Sequence, residues 1–143
     1  MKKKAPINIL SFLTPKQYTF FVDGDITVRA FLEKADFHKF TVVPVLDEEG
    51  KYVNSISEGD VLRYIKNDAN FDLGKAENSL ISEVARHRPY AYAKVNVEFP
   101  ELLRLLLAQN FVPLIDDRGV FIGIVKRSTV MEFLMKEGAF DLK

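Results

Sequence analysis

Hydrophobic and polar residues follow the same order twice along the chain. The segment VVPVLDEEGKYVNSISEGDVLRYI, residues 42–65, aligns without a gap with FVPLIDDRGVFIGIVKRSTVMEFL, residues 111–134. Each segment has an apolar run, an acidic turn with a glycine, a second apolar run and a stretch with apolar residues three and four positions apart. Two short apolar runs around a turn indicate a β-hairpin, and the wider spacing indicates an amphipathic helix.

The repeated pattern also extends towards the beginning of each half. Residues 26–35, ITVRAFLEKA, and residues 97–106, VEFPELLRLL, both have the apolar spacing of an amphipathic helix. Farther upstream, NILSFLTPK at residues 8–16 and SLISEVARH at residues 79–87 share an apolar pattern. Each half is therefore predicted to contain a short helix, an extended segment, a helix, two strands and a final helix.

This order of elements predicts the domain organisation of the chain. We divide it into a first repeat over residues 1–69, a polar connector over residues 70–79 and a second repeat over residues 80–143. The small sheet of each repeat has one apolar face to cover, and the other repeat can cover it. We therefore expect an α+β fold in which two small, mostly antiparallel sheets with flanking helices pack with approximate two-fold symmetry.

The composition excludes several classes of function. The 143 residues include 20 basic and 20 acidic ones, so no overall charge attracts the chain to nucleic acid or to an anionic membrane. There is no cysteine, which excludes disulfides, thiolate metal sites and cysteine nucleophiles. The apolar patch INILSFL contains Asn8 and Ser11 and is too short and polar for a signal peptide. No run approaches the roughly 20 apolar residues of a membrane span, and we expect a cytoplasmic protein.

The helix after the first hairpin begins with a serine and an aspartate three residues apart. Ser57 and Asp60 can form a capping box, in which each side chain accepts a backbone N–H of the other residue. The same groups can also bind a nucleotide. A hydroxyl and free N–H groups at a helix start can donate to phosphate, and a carboxylate can accept hydrogen bonds from two vicinal ribose hydroxyls. The two residues alone favour the cap.

The duplicated order of strand, turn, strand and helix resembles the cystathionine-β-synthase (CBS) domain family. The family motif is a glycine, two apolar residues, Thr or Ser, two variable residues and Asp, and the chain has NSISEGD at this place. Asn54 replaces the glycine and Ser55 replaces one apolar residue. The similarity covers about residues 7–136. It implies a stand-alone tandem pair of CBS repeats with a site for an adenine nucleotide.

The predicted first site lies where the first hairpin meets the following helix. Ser57 and Asp60 are expected to bind phosphate and ribose, and the apolar strand edge at Val43 and Pro44 can enclose a base. By similarity to the family, the extended residues that follow Thr14 and include Lys16 line the same cleft. The expected ligand is AMP, ADP or ATP.

The matching segment of the second repeat, GIVKRST, departs from the motif. Gly123 retains the glycine, but Lys126 replaces the hydroxyl residue and Thr129 replaces the aspartate. Thr129 cannot accept hydrogen bonds from two ribose hydroxyls as a carboxylate can, so ordinary mononucleotide binding is not expected here. Lys126 and Arg127 place positive charge at a helix start, where a bound anion would offset the unfavourable field of the helix dipole. A solvent-exposed basic surface is the alternative interpretation.

Further residues complete this predicted second site, which is expected to be richer in positive charge than the first. The apolar strand edge corresponds to Val112 and Pro113, and Arg86 and Arg88 lie in the segment that corresponds to the mouth of the first cleft. A solvated linker is the alternative for the two arginines.

These features favour a binding module over an enzyme. No combination of nucleophile, acid and base is evident, and His38 and His87 lack the spacing of metal ligands, so we expect no metal and no cofactor. We predict a non-catalytic adenine-nucleotide sensor that passes a conformational signal to a partner protein. The family resemblance implies a homodimer. The alternatives are a cyclic di-AMP receptor and an interaction protein whose ligand sites are vestigial.

Overall fold

The structure is a computed structural model that describes residues 7–38, 42–84 and 90–138. Arg86, His87 and Arg88, considered above, lie outside these ranges. The described residues form the helices α1 Val28–His38, α2 Glu58–Asn67, α3 Leu73–Glu77, α4 Phe99–Ala108 and α5 Arg127–Lys136. They also form the strands β1 Leu13–Pro15, β2 Val22–Asp23, β3 Val42–Leu46, β4 Tyr52–Ser57, β5 Ala93–Lys94, β6 Phe111–Ile115 and β7 Phe121–Lys126.

The strands form two small sheets with related topology. In the three-stranded sheet the order is β2-β3-β4, with β2 parallel to β3 and β3 antiparallel to β4. In the four-stranded sheet the order is β1-β7-β6-β5, with β5 parallel to β6 and β7 antiparallel to both of its neighbours. The predicted α+β class, the two hairpins and the helix after each hairpin are confirmed.

Both hairpin turns are closed by an aspartate and a glycine. The Asp116 carboxylate accepts the backbone N–H of Val120 at 2.9 Å, and Asp47 makes the equivalent hydrogen bond in the first hairpin. Gly50 and Gly119 have φ values of 79° and 85°, a left-handed conformation that side chains disfavour. The hydrogen bond from Val120 lowers the pKa of Asp116, because it stabilises the ionised carboxylate.

The chain forms two compact units, Phe20–Tyr90 and Met1–Thr19 with Ala91–Lys143. We call them the α1–α3 unit and the α4–α5 unit after the helices that they contain. Residues 7–19 belong to the unit with the second hairpin because β1 pairs with β7, with Leu13 opposite Val125. The compact units therefore differ from the linear division of the sequence into residues 1–69 and 80–143, which remains a division by sequence repeat.

The same arrangement occurs at the beginning of the second repeat. A short 3₁₀ helix, Ile81–Glu83, lies in the α1–α3 unit, where the Ile81 N–H donates to the Ile26 carbonyl at 2.9 Å. The corresponding 3₁₀ helix of the first repeat, Ile9–Phe12, lies in the α4–α5 unit. Each unit therefore combines the leading segment of one repeat with the hairpin and helices of the other.

Each unit has its own apolar core beneath its sheet. In the α1–α3 unit the core contains Phe31 of α1 and Ile56 of β4. In the α4–α5 unit it contains Phe12, whose ring packs edge-to-face on Phe133 with a centroid distance of 5.1 Å. Phe12 therefore fixes the leading segment to a core that is otherwise built from the second half of the chain.

The predicted connector contains a helix that packs within the α1–α3 unit. Helix α3 contacts both α1 and α2 and buries Ala76. The Tyr64 hydroxyl on α2 donates to the Ser79 hydroxyl at 2.7 Å, and the Val28 N–H donates to the Ser79 carbonyl at 2.8 Å. These bonds hold the end of the connector against the helices of the first repeat.

Gly123 in β7 is required by the close approach of β1. It lies opposite Pro15 and has a φ of 151°. A Cβ atom at this position would collide with the Thr14 carbonyl oxygen and lie 2.8 Å from a methyl group of Leu13. Because that oxygen belongs to the backbone, a small side-chain movement cannot relieve the collision.

We expect Gly123→Ala to reduce the free energy of unfolding by about 2–4 kcal/mol, because overpacking and backbone strain each cost about 1–3 kcal/mol. Gly119→Ala is the matched control. Its positive φ is strained in the same way, but no atom lies within 4 Å of the added Cβ, so the expected loss is about 1–2 kcal/mol. Urea denaturation measures both values, and equal losses would contradict the proposed collision with β1.

Candidate functional site

The start of α2 contains a complete capping box built from Ser57 and Asp60. The Ser57 hydroxyl accepts the Asp60 N–H at 3.1 Å, and Asp60 Oδ2 accepts the Ser57 N–H at 2.9 Å. The Ser57 hydroxyl also donates to Asp60 Oδ2 at 3.0 Å. The carboxylate lies near the positive end of the helix dipole, which favours its charge. The capping role predicted from the Ser–x–x–Asp spacing is confirmed.

Asp60 is buried although it carries a formal charge. Its residue is only 4% exposed, and Oδ1 accepts a hydrogen bond from the Arg63 guanidinium at 3.3 Å. Arg63 lies one helical turn after Asp60, and its side chain is 44% exposed. A buried carboxylate is stable only when it is paired and hydrogen-bonded, and the cap, the helix dipole and Arg63 together supply these interactions.

The structure brings four of the five predicted first-site residues into one unit. Strand register places Val43 opposite Ile56 and Pro44 opposite Ser55, directly before the start of α2. The Val43 side chain belongs to the apolar core of the unit, and Pro44 is also buried. The residues near this helix start therefore divide into a polar pair at the cap and an apolar pair within the sheet.

Lys16, the fifth predicted residue, belongs to the α4–α5 unit. It begins the 3₁₀ helix Lys16–Tyr18, which follows β1 and contacts β7. Because Pro15 lies opposite Gly123, the segment that carries Lys16 runs beside the strand that leads to Lys126. The family resemblance grouped Lys16 with Ser57, and that grouping stays a prediction. The pairing of Pro15 with Gly123, more than 100 positions away, leaves no local signal in the sequence.

The predicted second-site residues of the described chain all lie in the α4–α5 unit. Val112 and Pro113 are buried in β6, and Lys126 is the exposed N-cap residue of α5. The Lys126 side chain makes no capping hydrogen bond, in agreement with the expected loss of the capping box in this repeat. Thr129, which replaces the aspartate, lies half-buried in the first turn of α5.

Arg127 has a different environment from Lys126 although the two are adjacent in the sequence. Its Nε donates to the Leu106 carbonyl at 2.7 Å, and its backbone N–H donates to the Asn110 carbonyl at 2.8 Å. Leu106 lies in the last turn of α4, where carbonyl groups lack partners within the helix and the dipole attracts cations. Arg127 therefore joins the start of α5 to the end of α4.

Of the two positions that depart from the sequence motif, Ser55 has a local explanation. Ser55 is completely buried, and its hydroxyl shares a hydrogen bond of 2.7 Å with the Tyr52 hydroxyl. Asn54 corresponds to Gly123 in the aligned repeat and lies half-buried in β4. It borders a cavity of about 760 Å³ beside the first hairpin turn. Five carboxylate residues line this cavity: Asp23, Asp25, Asp47, Glu48 and Glu49.

Sequence reasoning missed two features of the described structure. One is Arg63, which the i, i+3 spacing from Asp60 indicates once the helix is recognised. The other is an apolar groove of about 650 Å³ between α4 and α5, lined by residues that include Leu103, Leu107 and Met131.

Within the described ranges, no group of three or more carboxylate or histidine side chains is arranged to hold a metal ion. No described helix is long and apolar enough to cross a membrane.

Comparison with known proteins gives a family match for part of the chain and structural relatives for nearly all of it. Residues 15–67 match the CBS domain. An uncharacterized protein of Methanocaldococcus jannaschii is 25% identical over 160 residues, covering 90% of this chain and 92% of that protein. CbpB of Listeria monocytogenes, solved in complex with c-di-AMP, superimposes with a TM-score of 0.81 at 19% identity, covering 94% of this chain and all of that one. CBSX2, solved in complex with AMP, gives a TM-score of 0.73 at 24% identity, with coverages of 92% and 98%.

These similarities extend over nearly the whole chain, whereas the family match itself covers the first hairpin and the helices around it. The resemblance predicted from the duplicated motif is thereby confirmed: residues 15–67 match the CBS domain, and solved CBS-domain proteins share the fold of nearly the whole chain. The solved structures establish the shared fold.

Proposed function

We propose that the protein is a non-catalytic, adenine-nucleotide-sensing module that holds its ligand at Ser57 and Asp60. The observation that carries this proposal is the buried Asp60 carboxylate at the start of α2, beside a serine hydroxyl. A carboxylate can accept hydrogen bonds from both hydroxyls of a ribose. The hydroxyl of Ser57 and the N–H groups of the first helical turn can donate to phosphate.

The solved relatives support an adenine ligand. CBSX2 was crystallised with AMP and CbpB with c-di-AMP, two ligands that share the adenine nucleotide unit. We propose the AMP, ADP and ATP class for the Asp60 site. Of the two helices that follow a hairpin, α2 has a carboxylate in its first turn that could accept ribose hydroxyls, and α5 has none. The ligand transmits a signal only if it binds two conformations with different affinity. We propose that a separate cytoplasmic protein receives this signal.

We expect Asp60→Ala to weaken AMP binding by about 1.5–3 kcal/mol, the range for hydrogen bonds to a charged group. The substitution also removes a cap and should lower the free energy of unfolding by about 0.5–2 kcal/mol. The matched control is Asp72→Ala. Asp72 caps α3 in the same unit by accepting the Lys75 N–H at 3.1 Å. Its loss should reduce stability without changing AMP affinity. Calorimetric titration and denaturation measure the two quantities.

The two variants together separate a binding role of Asp60 from a purely structural one. If both variants lose stability and neither loses AMP affinity, Asp60 is a helix cap only and the proposed ligand site is wrong. If AMP, ADP and ATP all leave the melting temperature of the wild-type protein unchanged at millimolar concentration, the interaction protein with vestigial sites becomes the better description.

A cyclic di-AMP receptor is the second candidate function, and the α4–α5 unit contains the observation that favours it. Lys126 lies at a helix start without a side-chain cap, and Thr129 replaces the ribose-binding carboxylate. A ligand with additional phosphate groups would compensate for the cation at this position. CbpB, which has the same fold, was crystallised with c-di-AMP. Arg127 contributes less to such a site than Lys126 because its guanidinium binds the Leu106 carbonyl.

If c-di-AMP binds at this second site, we expect Lys126→Ala to weaken its binding by about 1 kcal/mol, the upper range for an exposed ion pair. The effect should decrease at high salt, because exposed charges are screened. AMP affinity at the Asp60 site should remain nearly unchanged. Lys136→Ala, at the opposite end of the same helix, is the control of equal charge. Equal losses of c-di-AMP affinity in both variants would show a general charge effect and remove the case for a site at Lys126.

We also propose that the protein is a homodimer whose subunits meet at the α4–α5 groove. Leu107 is 82% exposed beside this groove, and Met131 is also exposed. The equivalent helix pair of the first repeat, α1 and α2, is contacted by α3 within the same unit. In the α4–α5 unit the 3₁₀ helix Ile9–Phe12 packs on α4 and α5 through Phe12, but Leu107 and Met131 remain exposed beside the groove. A second copy of the chain would remove this apolar surface from water.

Leu107→Glu should raise the dimer dissociation constant at least about tenfold, because burial of a leucine side chain contributes about 1.5–3 kcal/mol. Tyr18→Glu is the control, since Tyr18 is also large and exposed, at 75% against 82% for Leu107, but lies outside the groove. Sedimentation equilibrium measures both constants. A dissociation constant that is unchanged in Leu107→Glu would refute the proposal, as would a wild-type protein that stays monomeric.

A further inference from the structure

The lining of the α4–α5 groove has an aligned counterpart on the first pair of helices. The lining residues lie within positions 100–107 of α4 and 127–134 of α5, and we call them the α4–α5 face. The alignment of the two repeats places positions 29–36 of α1 and 58–65 of α2 over these segments. We call the residues there that align with the groove lining the α1–α2 face. The two faces can therefore be compared position by position.

We infer that the α4–α5 face of one copy of the chain packs on the α1–α2 face of a second copy, so that unlike faces meet. This inference rests on the proposed function, since it names the surface of the second copy that covers the α4–α5 groove. It follows from the exposure of the two faces and from the charges at their aligned positions.

The two faces have the same pattern of exposure. The aligned Val61 and Val130 are both 1% exposed, whereas the aligned Leu62 and Met131 are 67% and 48% exposed. Helix α3 contacts α1 and α2 but leaves Leu62 accessible to solvent. Each face therefore has a buried floor and an exposed apolar side chain, and packing against another surface would remove that side chain from water.

The charges of the two faces are opposite in sign. The described residues that line the groove include two arginines, Arg104 and Arg127, and no carboxylate. Arg104 aligns with Glu33, and Arg127 aligns with Glu58. The charged residues of the α1–α2 face are three carboxylates and one arginine: Glu33, Asp36, Glu58 and Arg29. The α4–α5 face therefore has an excess of two positive charges and the α1–α2 face an excess of two negative charges.

Interactions within one copy do not remove these charges from the surface. Arg104 pairs with Glu101, and Glu33 pairs with Arg29, but the four side chains are each at least 49% exposed. Exposed ion pairs of this kind are weak and exchange partners easily. The Arg127 guanidinium donates to a neutral backbone carbonyl, so its charge is not compensated by that hydrogen bond.

Charge complementarity decides which faces can pack together. Two α4–α5 faces in contact would bring arginine against arginine, and two α1–α2 faces would bring an excess of carboxylates together. Such contacts are disfavoured, because like charges repel more strongly as water leaves the interface. A contact between unlike faces places the two arginines against the carboxylate-rich surface and still buries the apolar side chains of both faces.

The absence of cysteine from the chain allows a direct test by cross-linking. Leu62→Cys places one thiol on the α1–α2 face, and Met131→Cys places one thiol on the α4–α5 face. We expect a short bis-maleimide to link these two variants to each other when they are co-expressed with tags of different size. It should link neither variant to itself. Arg118→Cys, on the second hairpin turn, is the control for random collisions.

Charge reversal provides a second test through the dimer dissociation constant. Arg104→Glu and Glu33→Arg should each raise this constant about two- to fivefold, the effect of an exposed ion pair. A chain with both substitutions should recover much of the wild-type value. Each change also opposes a neighbouring charge, Glu101 or Arg29, but these local effects would add in the double variant. Arg118→Glu reverses a side chain that is 79% exposed outside both faces and should leave the constant unchanged.

The outcomes separate this inference from the proposed homodimer. Cross-linking of either single variant to itself would show that like faces meet, and tighter association of Arg104→Glu would show the same through relief of repulsion. Either result overturns the inference, as does the absence of a mixed product from a folded, dimeric protein. If the wild-type protein is monomeric, the proposed homodimer itself fails, and sedimentation shows this before any variant is compared.

Discussion

The antiparallel pairing of β1 with β7 determines how this chain is assembled. It brings residues 7–19 into the unit that contains the second hairpin, and it places Pro15 against Gly123. Phe12, immediately before β1, completes the aromatic core of that unit by packing on Phe133. The absence of a side chain at Gly123 allows this close approach. The α4–α5 unit is therefore built from residues 7–19 together with residues that follow position 90, which increases the sequence separation of its contacts.

The proposed ligand site uses groups that already stabilise the protein. Asp60 and Ser57 satisfy each other in the capping box, so a ligand exchanges hydrogen bonds at this position and does not simply add them. A ligand at the proposed site would therefore be coupled to the start of α2, because it would bind the groups that form the cap. Such coupling would give the proposed sensor a physical route from nucleotide binding to a change in helix position.

The two repeats have kept the features that form the fold and changed those at the helix start. Asp47 and Asp116 close both hairpins with the same hydrogen bonds, and each turn has a glycine with positive φ. In contrast, Ser57 corresponds to Lys126, and the capping box is present only in the first repeat. Each hairpin needs its turn to be closed, whereas a helix can begin with a side-chain cap, as α2 does, or without one, as α5 does.

The sequence by itself determined the features whose partners lie within a few residues of one another. The hairpins, their Asp–Gly turns, the following helices and the capping box of Ser57 are all local patterns, and the structure confirms them. Only the tertiary structure decided that Lys16 lies beside β7, that Val43 faces the core and that Arg127 binds the end of α4. These placements depend on strand pairing and packing between distant segments, and the spacing of residues along one segment contains no information about which distant segment will lie beside it.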